Sequence, residues 1–245
     1  MASPLPEKSM TKLRLIGCLL SCIIIAFCCG GCAELEGSGF FGTNQGLDPA
    51  TVALGLKDAL RVGTERSVES TSGLDGFLGN NLIRIALPEK LQGVGSALRK
   101  LGMGSQVDAF EVTMNRAAEQ AAGEATEVFW GAIKEMTLSD ALGILNGGDT
   151  AATSYFRSNT SDDLRARFGL IVSSKMSELG LYRRYDQLIS RYSQIPFVSS
   201  PSLDLDNYVT DKALGGLFTV LGQEETKIRR NPAARSTELL KHVFR

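Results

Sequence analysis

The chain has 245 residues, 43% of them hydrophobic, with 26 basic side chains against 27 acidic ones and a single histidine. A net charge of −1 lacks the basic excess that binding to nucleic acid demands, which argues against that class. All five cysteines fall at or before position 32, so whatever folds beyond that point has no disulfide, no cysteine-based metal site and no thiol nucleophile.

In chain order, the first feature reads as an export signal. Lys8, Lys12 and Arg14 precede residues 15–29, a run of 15 without charge. A helix that crosses the bilayer needs about 20 apolar residues, whereas a signal core has roughly 7–15. Gly30 and Gly31 then lead into Cys32, and polarity returns at Ala33-Glu34-Leu35-Glu36. This layout predicts a bacterial lipoprotein signal peptide over residues 1–31 and Cys32 as the lipidated residue, bearing acyl chains such as palmitate. Two alternatives stand. Leu19-Leu20-Ser21 before Cys22 matches the usual local pattern better, but cleavage there leaves Ile23-Ile24-Ile25 on the mature end. An uncleaved anchor is the other.

Each buried methylene of a lipid contributes about 0.8 kcal/mol, and more than one chain makes anchoring stable. The predicted location is the outer membrane on its periplasmic face, because Ala33 stands where aspartate would signal retention; an inner-membrane lipid anchor is the alternative. Loss of residues 1–31 removes Lys8, Lys12, Arg14 and Glu7, which leaves 23 basic against 26 acidic side chains, or −3.

Residues 32–46 read as the lipidated cysteine and a flexible tether with Gly37, Gly39, Gly42 and Gly46. A coil of that length spans on the order of 20 Å. Phe40-Phe41 within it either touches the lipid surface or packs on the domain.

Residues 47–245 are predicted to form one helical domain, long enough to bury roughly 70% of its unfolded surface. Asp48-Pro49 starts a helix that runs to about Thr71. Pro88 opens the next, closed by Gly102. Ser105 with Asp108 predicts a capping box for a third. A fourth covers residues 124–136. Thr137 with Asp140 caps a fifth, which ends in Asn146-Gly147-Gly148. Asp149 is read as starting a short helix to about Arg157, and Thr160 with Asp163 as starting a longer one that stops at Gly180. A helix over residues 181–192 follows. Leu214, Leu217, Phe218 and Leu221 give a further apolar stripe, and Pro232 opens a last helix. The fold class is therefore an all-α multi-helix bundle. One minor two-strand β-ribbon, Leu82-Ile83-Arg84-Ile85 against Ser202-Leu203-Asp204-Leu205, is the only strand alternative.

The chemistry on offer is sparse. His242 stands alone near the end, so His–Cys nucleophile pairs and zinc sites drop out, and neither a metal nor another cofactor is predicted. Asn146, Gly147, Gly148, Asp149 and Thr150 form the sharpest local signal: glycines before a helix start aim backbone amides at an anion, although Asp149 can occupy those donors, and a plain interhelical corner explains the segment as well. Asp108, Glu111, Asn115 and Glu119 fall on one helical stripe beside Arg116. Carboxylates one turn apart serve general acid–base work, a solvated face, or a buried polar network with Arg116. Asp204, Asp206 and Asn207 resemble a calcium loop without its glycine and distal glutamate. Lys227, Arg229, Arg230, Arg235, Lys241 and Arg245 make the C-terminal end basic, suited to anionic lipid or cell-wall carboxylates, or simply to helix C-termini.

Five separated segments carry a resemblance. They are Leu87-Pro88-Glu89-Lys90-Leu91, Met114-Asn115-Arg116-Ala117-Ala118-Glu119, residues 146–153 (NGGDTAAT), residues 207–214 (NYVTDKAL) and residues 228–235 (IRRNPAAR). In order and over about residues 47–245, they resemble the bacterial proteins grouped as domain of unknown function 4197. The resemblance implies an exported or lipid-anchored protein of a Gram-negative envelope, and it brings no activity, substrate or catalytic residue. The functional expectation is a lipid-anchored periplasmic domain that binds a protein, cell-wall or lipid partner in envelope assembly or maintenance. The alternative is a carboxylate- or metal-dependent enzyme built on Glu111, Asn115 and Glu119; a third reading is a pocket for an apolar ligand.

Overall fold

Asp48 begins the first helix as the Asp-Pro dipeptide predicts. Its carboxylate accepts from the amides of Ala50 (3.0 Å) and Thr51 (3.2 Å), and Pro49 needs no amide partner at the first helical position. The computed structural model describes residues 48–195 and 203–231. Among them run α1 (Pro49–Ser72), α2 (Glu89–Lys100), α3 (Gly104–Ala122), α4 (Ala125–Glu135), α5 (Leu138–Leu145), α6 (Ala151–Glu178), α7 (Leu181–Tyr192) and α8 (Leu205–Arg230). The fold is an all-α bundle. Chain contacts separate residues Met1–Gly46 from Leu47–Arg245, and the described residues all belong to the second unit. No helix among them is long and apolar enough to cross a membrane.

The caps show how local chemistry sets the ends. Thr137 and Asp140 make the capping box: the Asp140 amide donates to the Thr137 hydroxyl (3.1 Å) and the Thr137 amide to the Asp140 carboxylate (2.9 Å). Gly180 takes φ +73° between α6 and α7, and Gly102 φ +78° after α2, where a side chain would be strained. The hydrogen bond from the Thr137 hydroxyl, then that from its amide, holds the Asp140 carboxyl below its ordinary value. A carboxyl lowered in the folded state stabilises above the unfolded value, about 3.9, and loses that contribution as pH falls through the folded one. Asp48 and Asp204 are lowered in the same way, first by the amides of Ala50 and Asn207. Asp140→Asn is therefore expected to shrink, without abolishing, the fall in melting temperature between about pH 5 and pH 3. An unchanged acid profile in that variant would contradict the assigned cap.

Three local readings are corrected. Ser105 and Asp108 do not cap α3. Its N-cap is Met103 without a side-chain bond, and Asp108 instead pairs with Arg99 on α2 at 2.7 Å. The two helices expected over residues 149–179 are one. The Thr160 hydroxyl donates back to the Phe156 carbonyl at 2.6 Å, so the residue read as a cap sits inside α6 without interrupting it. The β-ribbon is not formed among the described residues. The Ile85 amide and carbonyl both bond the Asn115 side chain, and the Tyr208 hydroxyl donates to the Ala86 carbonyl at 3.0 Å. Ser202, in the other proposed strand, lies outside the described residues, as do Pro196, Pro201 and the helix expected from Pro232.

Helix α8 is the axis of the bundle. It packs on α6, α1 and α3 and buries residues on several faces, among them Val209, Leu217, Phe218, Leu221 and Ile228. Phe129 joins α4 to its neighbours edge-to-face, 5.1 Å from Phe156 on α6 and 6.2 Å from Phe218 on α8. The connection between α1 and α2 crosses α8 at Gly216. A Cβ there would lie 2.5 Å from the Phe77 ring, so only glycine lets the fully buried Phe77 seat against the helix.

Candidate functional site

The stripe on α3 forms a clamp. Asn115 is fully buried and makes three hydrogen bonds of 2.8 Å: it accepts from the Ile85 amide and donates to the carbonyls of Ile85 and Glu111. One Oε of Glu119 accepts from the amides of Phe77 and Leu78 (3.2 Å each). The other meets Arg116 at 2.7 Å, and Arg116 reaches Asp75 at 2.7 Å. The hydrogen bond to Glu119, opposed by partial burial and reinforced by Asp75, raises the Arg116 pKa. Glu111 faces Arg84 (3.3 Å) and Arg99 (3.7 Å). The structure thus brings Glu111, Asn115, Arg116 and Glu119 together, and commits them to backbone groups of residues 77–85 and to ion pairs with Asp75, Arg84, Arg99 and one another. Among the described residues no group of three or more His, Cys, Asp or Glu side chains is placed to hold a metal.

The corner between α5 and α6 is closed from a distance. Asn146 ends α5, Gly147 and Gly148 turn the chain, and Thr150 leads into α6 without capping it by its side chain. The amides that a bound anion would use are taken by Glu225 of α8. Its carboxylate accepts from Ala152 N (2.9 Å), Thr153 N (2.8 Å) and the Thr153 hydroxyl (2.8 Å). One turn on, Arg229 pairs with Glu225 at 3.0 Å and donates to the Ile144 carbonyl at 2.7 Å. An anion on α6's first amides and a cation on α5's last carbonyls complement both helix dipoles at once. Asp149 is drawn out to Arg230.

Beside this corner an open groove of about 670 Å³ runs between α6 and α8. Arg157, Lys227 and Arg230 line it together with threonine and serine hydroxyls, and no acidic side chain does. Arg157 stacks over Phe218, 4.6 Å from the ring centroid. A second cleft, about 420 Å³, flanks α6 on its α4 side and is acidic, with Glu127, Glu135, Asp140 and Asp163. An apolar cavity behind the corner, between Leu56, Phe156 and Ile228, measures about 30 Å³, room for roughly one water and for no apolar ligand.

The cluster of Asp204, Asp206 and Asn207 is spent on hydrogen bonds at the start of α8. Asp204 caps α8 by accepting from the Asn207 amide (3.0 Å), and Asp206 accepts from the Tyr182 hydroxyl (2.5 Å). Lys227 pairs with Glu224 at 3.2 Å. Cys22, Cys32, Phe40, Phe41, Arg235, Lys241, His242 and Arg245 lie outside the described residues. Glu225, Arg229 acting as a pair, and Arg157 escaped the sequence reading. The i, i+4 spacing of Glu225 and Arg229 was visible, but nothing local says that the pair faces another helix's end.

Two of the resemblance-bearing segments thus meet at one corner, through Asp149 of one and Arg230 of the other. A family of proteins of unknown function, DUF4197, matches residues 46–245. The chain belongs to this family. No curated protein and no solved structure matches it. The family membership covers the α3 clamp, the corner and the groove alike, and assigns no chemistry to any of them.

Proposed function

We propose that this DUF4197 protein is an envelope lipoprotein: Cys32 carries lipid, residues 33–46 tether the domain, and the domain works by binding a protein, cell-wall or lipid partner. The proposed location is the outer membrane, facing the periplasm. The observation that carries the binding reading is the α6/α8 groove, a cationic, hydroxyl-lined surface on a chain whose net charge is −1. The enzyme reading is not favoured, since Asn115 and Glu119 already spend their polar atoms on the backbone of Phe77, Leu78, Ile85 and Glu111 and on Arg116.

Photocrosslinking in the native membrane tests the binding half. A crosslinker at Thr219 or Gln223 is expected to trap a reproducible partner, and the adduct is expected to weaken when Arg157 becomes glutamate. Groove positions that trap nothing above the level of exposed sites elsewhere would end the reading. For the anchoring half, Cys32→Ala is expected to abolish incorporation of labelled fatty acid and release the protein from the membrane fraction. Acylation that persists in Cys32→Ala and disappears in Cys22→Ala would move the anchor to Cys22.

A further inference from the structure

We infer that the α6/α8 groove binds an anionic saccharide: an elongated, hydroxyl-bearing body with an acidic group, phosphate by preference, toward each end. This deepens, and rests on, the reading of the groove as the binding face.

The cations are not gathered at one point. Arg157 stacks over Phe218, while Lys227 lies nine residues further along α8 and Arg230 twelve. At 1.5 Å per residue, the Phe218 end and the Lys227 end are about 14 Å apart. Arg157 forms no ion pair among the described residues, and its stacked guanidinium keeps its N–H edges for a ligand. Lys227 and Arg230 pair with Glu224 and Asp149 at the rim, where their side chains are 55% and 69% exposed. Such exposed pairs are weak and exchange readily for a ligand's charge.

Between the charged ends the lining is neutral, and its hydroxyls are oriented. Ser154 donates to the Thr150 carbonyl (3.0 Å), Thr219 to the Gly215 carbonyl (2.8 Å) and Thr226 to the Gly222 carbonyl (2.8 Å). With their hydrogens spent, these oxygens offer acceptor lone pairs. A row of acceptors suits a body rich in O–H donors, which is what a sugar presents and an acyl chain or bare phosphate does not. Gly222 lines the middle, where a Cβ would reach ordinary contact distance, 3.7 Å, from the Thr153 hydroxyl and a larger side chain would enter the groove. The volume, about 670 Å³, exceeds what an inorganic ion fills and lies in the range of ligand sites. Phosphate is preferred over carboxylate because its extra oxygens engage Lys227 and Arg230 together.

The test uses the full-length protein in non-ionic detergent at constant ionic strength, titrated by calorimetry. The probes are a bis-phosphorylated glucosamine disaccharide, the same disaccharide without phosphates, inorganic phosphate, and mixed micelles carrying the acylated bis-phosphorylated disaccharide. The bis-phosphorylated body is expected to bind at least about tenfold more tightly than either the neutral disaccharide or phosphate, the worth of one charge-assisted contact. Arg157→Gln and Lys227→Gln should each lower that affinity about tenfold. Gly222→Leu should lower it at least about tenfold by pushing a branched side chain into the middle of the groove, with helicity by circular dichroism unchanged in all three variants. Tighter binding to the acylated than to the soluble bis-phosphorylated form would identify a membrane glycolipid as the source, and equal or weaker binding a free or cell-wall saccharide. Equal affinity for phosphate alone, no binding to the soluble bis-phosphorylated form, or insensitivity to Arg157→Gln and Gly222→Leu overturns the inference. A protein crosslinked through the groove, with no saccharide binding, would overturn the inference while the binding-face reading stands.

Discussion

Glu225→Ala is expected to lower the melting temperature by about 10 °C. The carboxylate is buried and accepts three hydrogen bonds from the first turn of α6 while pairing with Arg229. Its removal leaves two helix-terminal amides without this acceptor and takes the Glu225 carboxylate away from a largely buried guanidinium. Breaking one side of a buried pair costs about 3–5 kcal/mol, and for a domain of this size each kcal/mol moves the melting temperature by roughly 2–4 °C. Glu225→Gln keeps acceptor oxygen but loses the charge, and should cost about half as much. Arg229→Ala on top of Glu225→Ala should add little, because the first change has already uncoupled the pair. A Glu225→Ala protein that melts within about 2 °C of the parent would show that the corner does not depend on this carboxylate.

Asn115→Leu is expected to cost about 3 kcal/mol, with a local signature besides. Leucine occupies a similar volume, so the loss is mainly that of the Ile85 amide and carbonyl, left buried without partners. Because these bonds are what pin the α1–α2 connection, the opening should be confined there first. Trypsin should cut after Arg84, which is exposed, much faster than in the parent, while α6 and α8 stay protected in hydrogen exchange. Glu119→Ala acts on the same connection through Phe77 and Leu78, so the two substitutions should be less than additive. Uniform loss of protection across the whole bundle, with no preference for residues 77–86, would rule out the clamp.

Both results concern side chains whose partners lie far away in sequence, and that is where legibility in the sequence stops. Helix starts at Asp48 and Thr137, stops at Gly102 and Gly180, and the apolar stripe of α8 were all readable, because a cap or a period is settled within about four residues. Thr160 misled for the same reason. A hydroxyl three residues before an acid looks like a cap, and only the helix already running through it turns the hydroxyl back onto Phe156. The α3 stripe was legible as a cluster of polar groups on one face. Its purpose was not, since the backbone groups of Phe77 and Ile85 that Glu119 and Asn115 hold lie 42 and 30 positions upstream.

The amino-acid order by itself determined that the folded part is helical and free of cysteine, and that an uncharged run of 15 residues precedes Cys32, because composition, period and capping are local properties. Tertiary structure alone decided that an anion-ready helix end at residues 150–153 is filled from within by Glu225, and that Arg157 and Lys227 line one groove. The physical reason is that a carboxylate 72 positions away competes for the same amides as any ligand, and only the packing of α8 against α6 brings it there first.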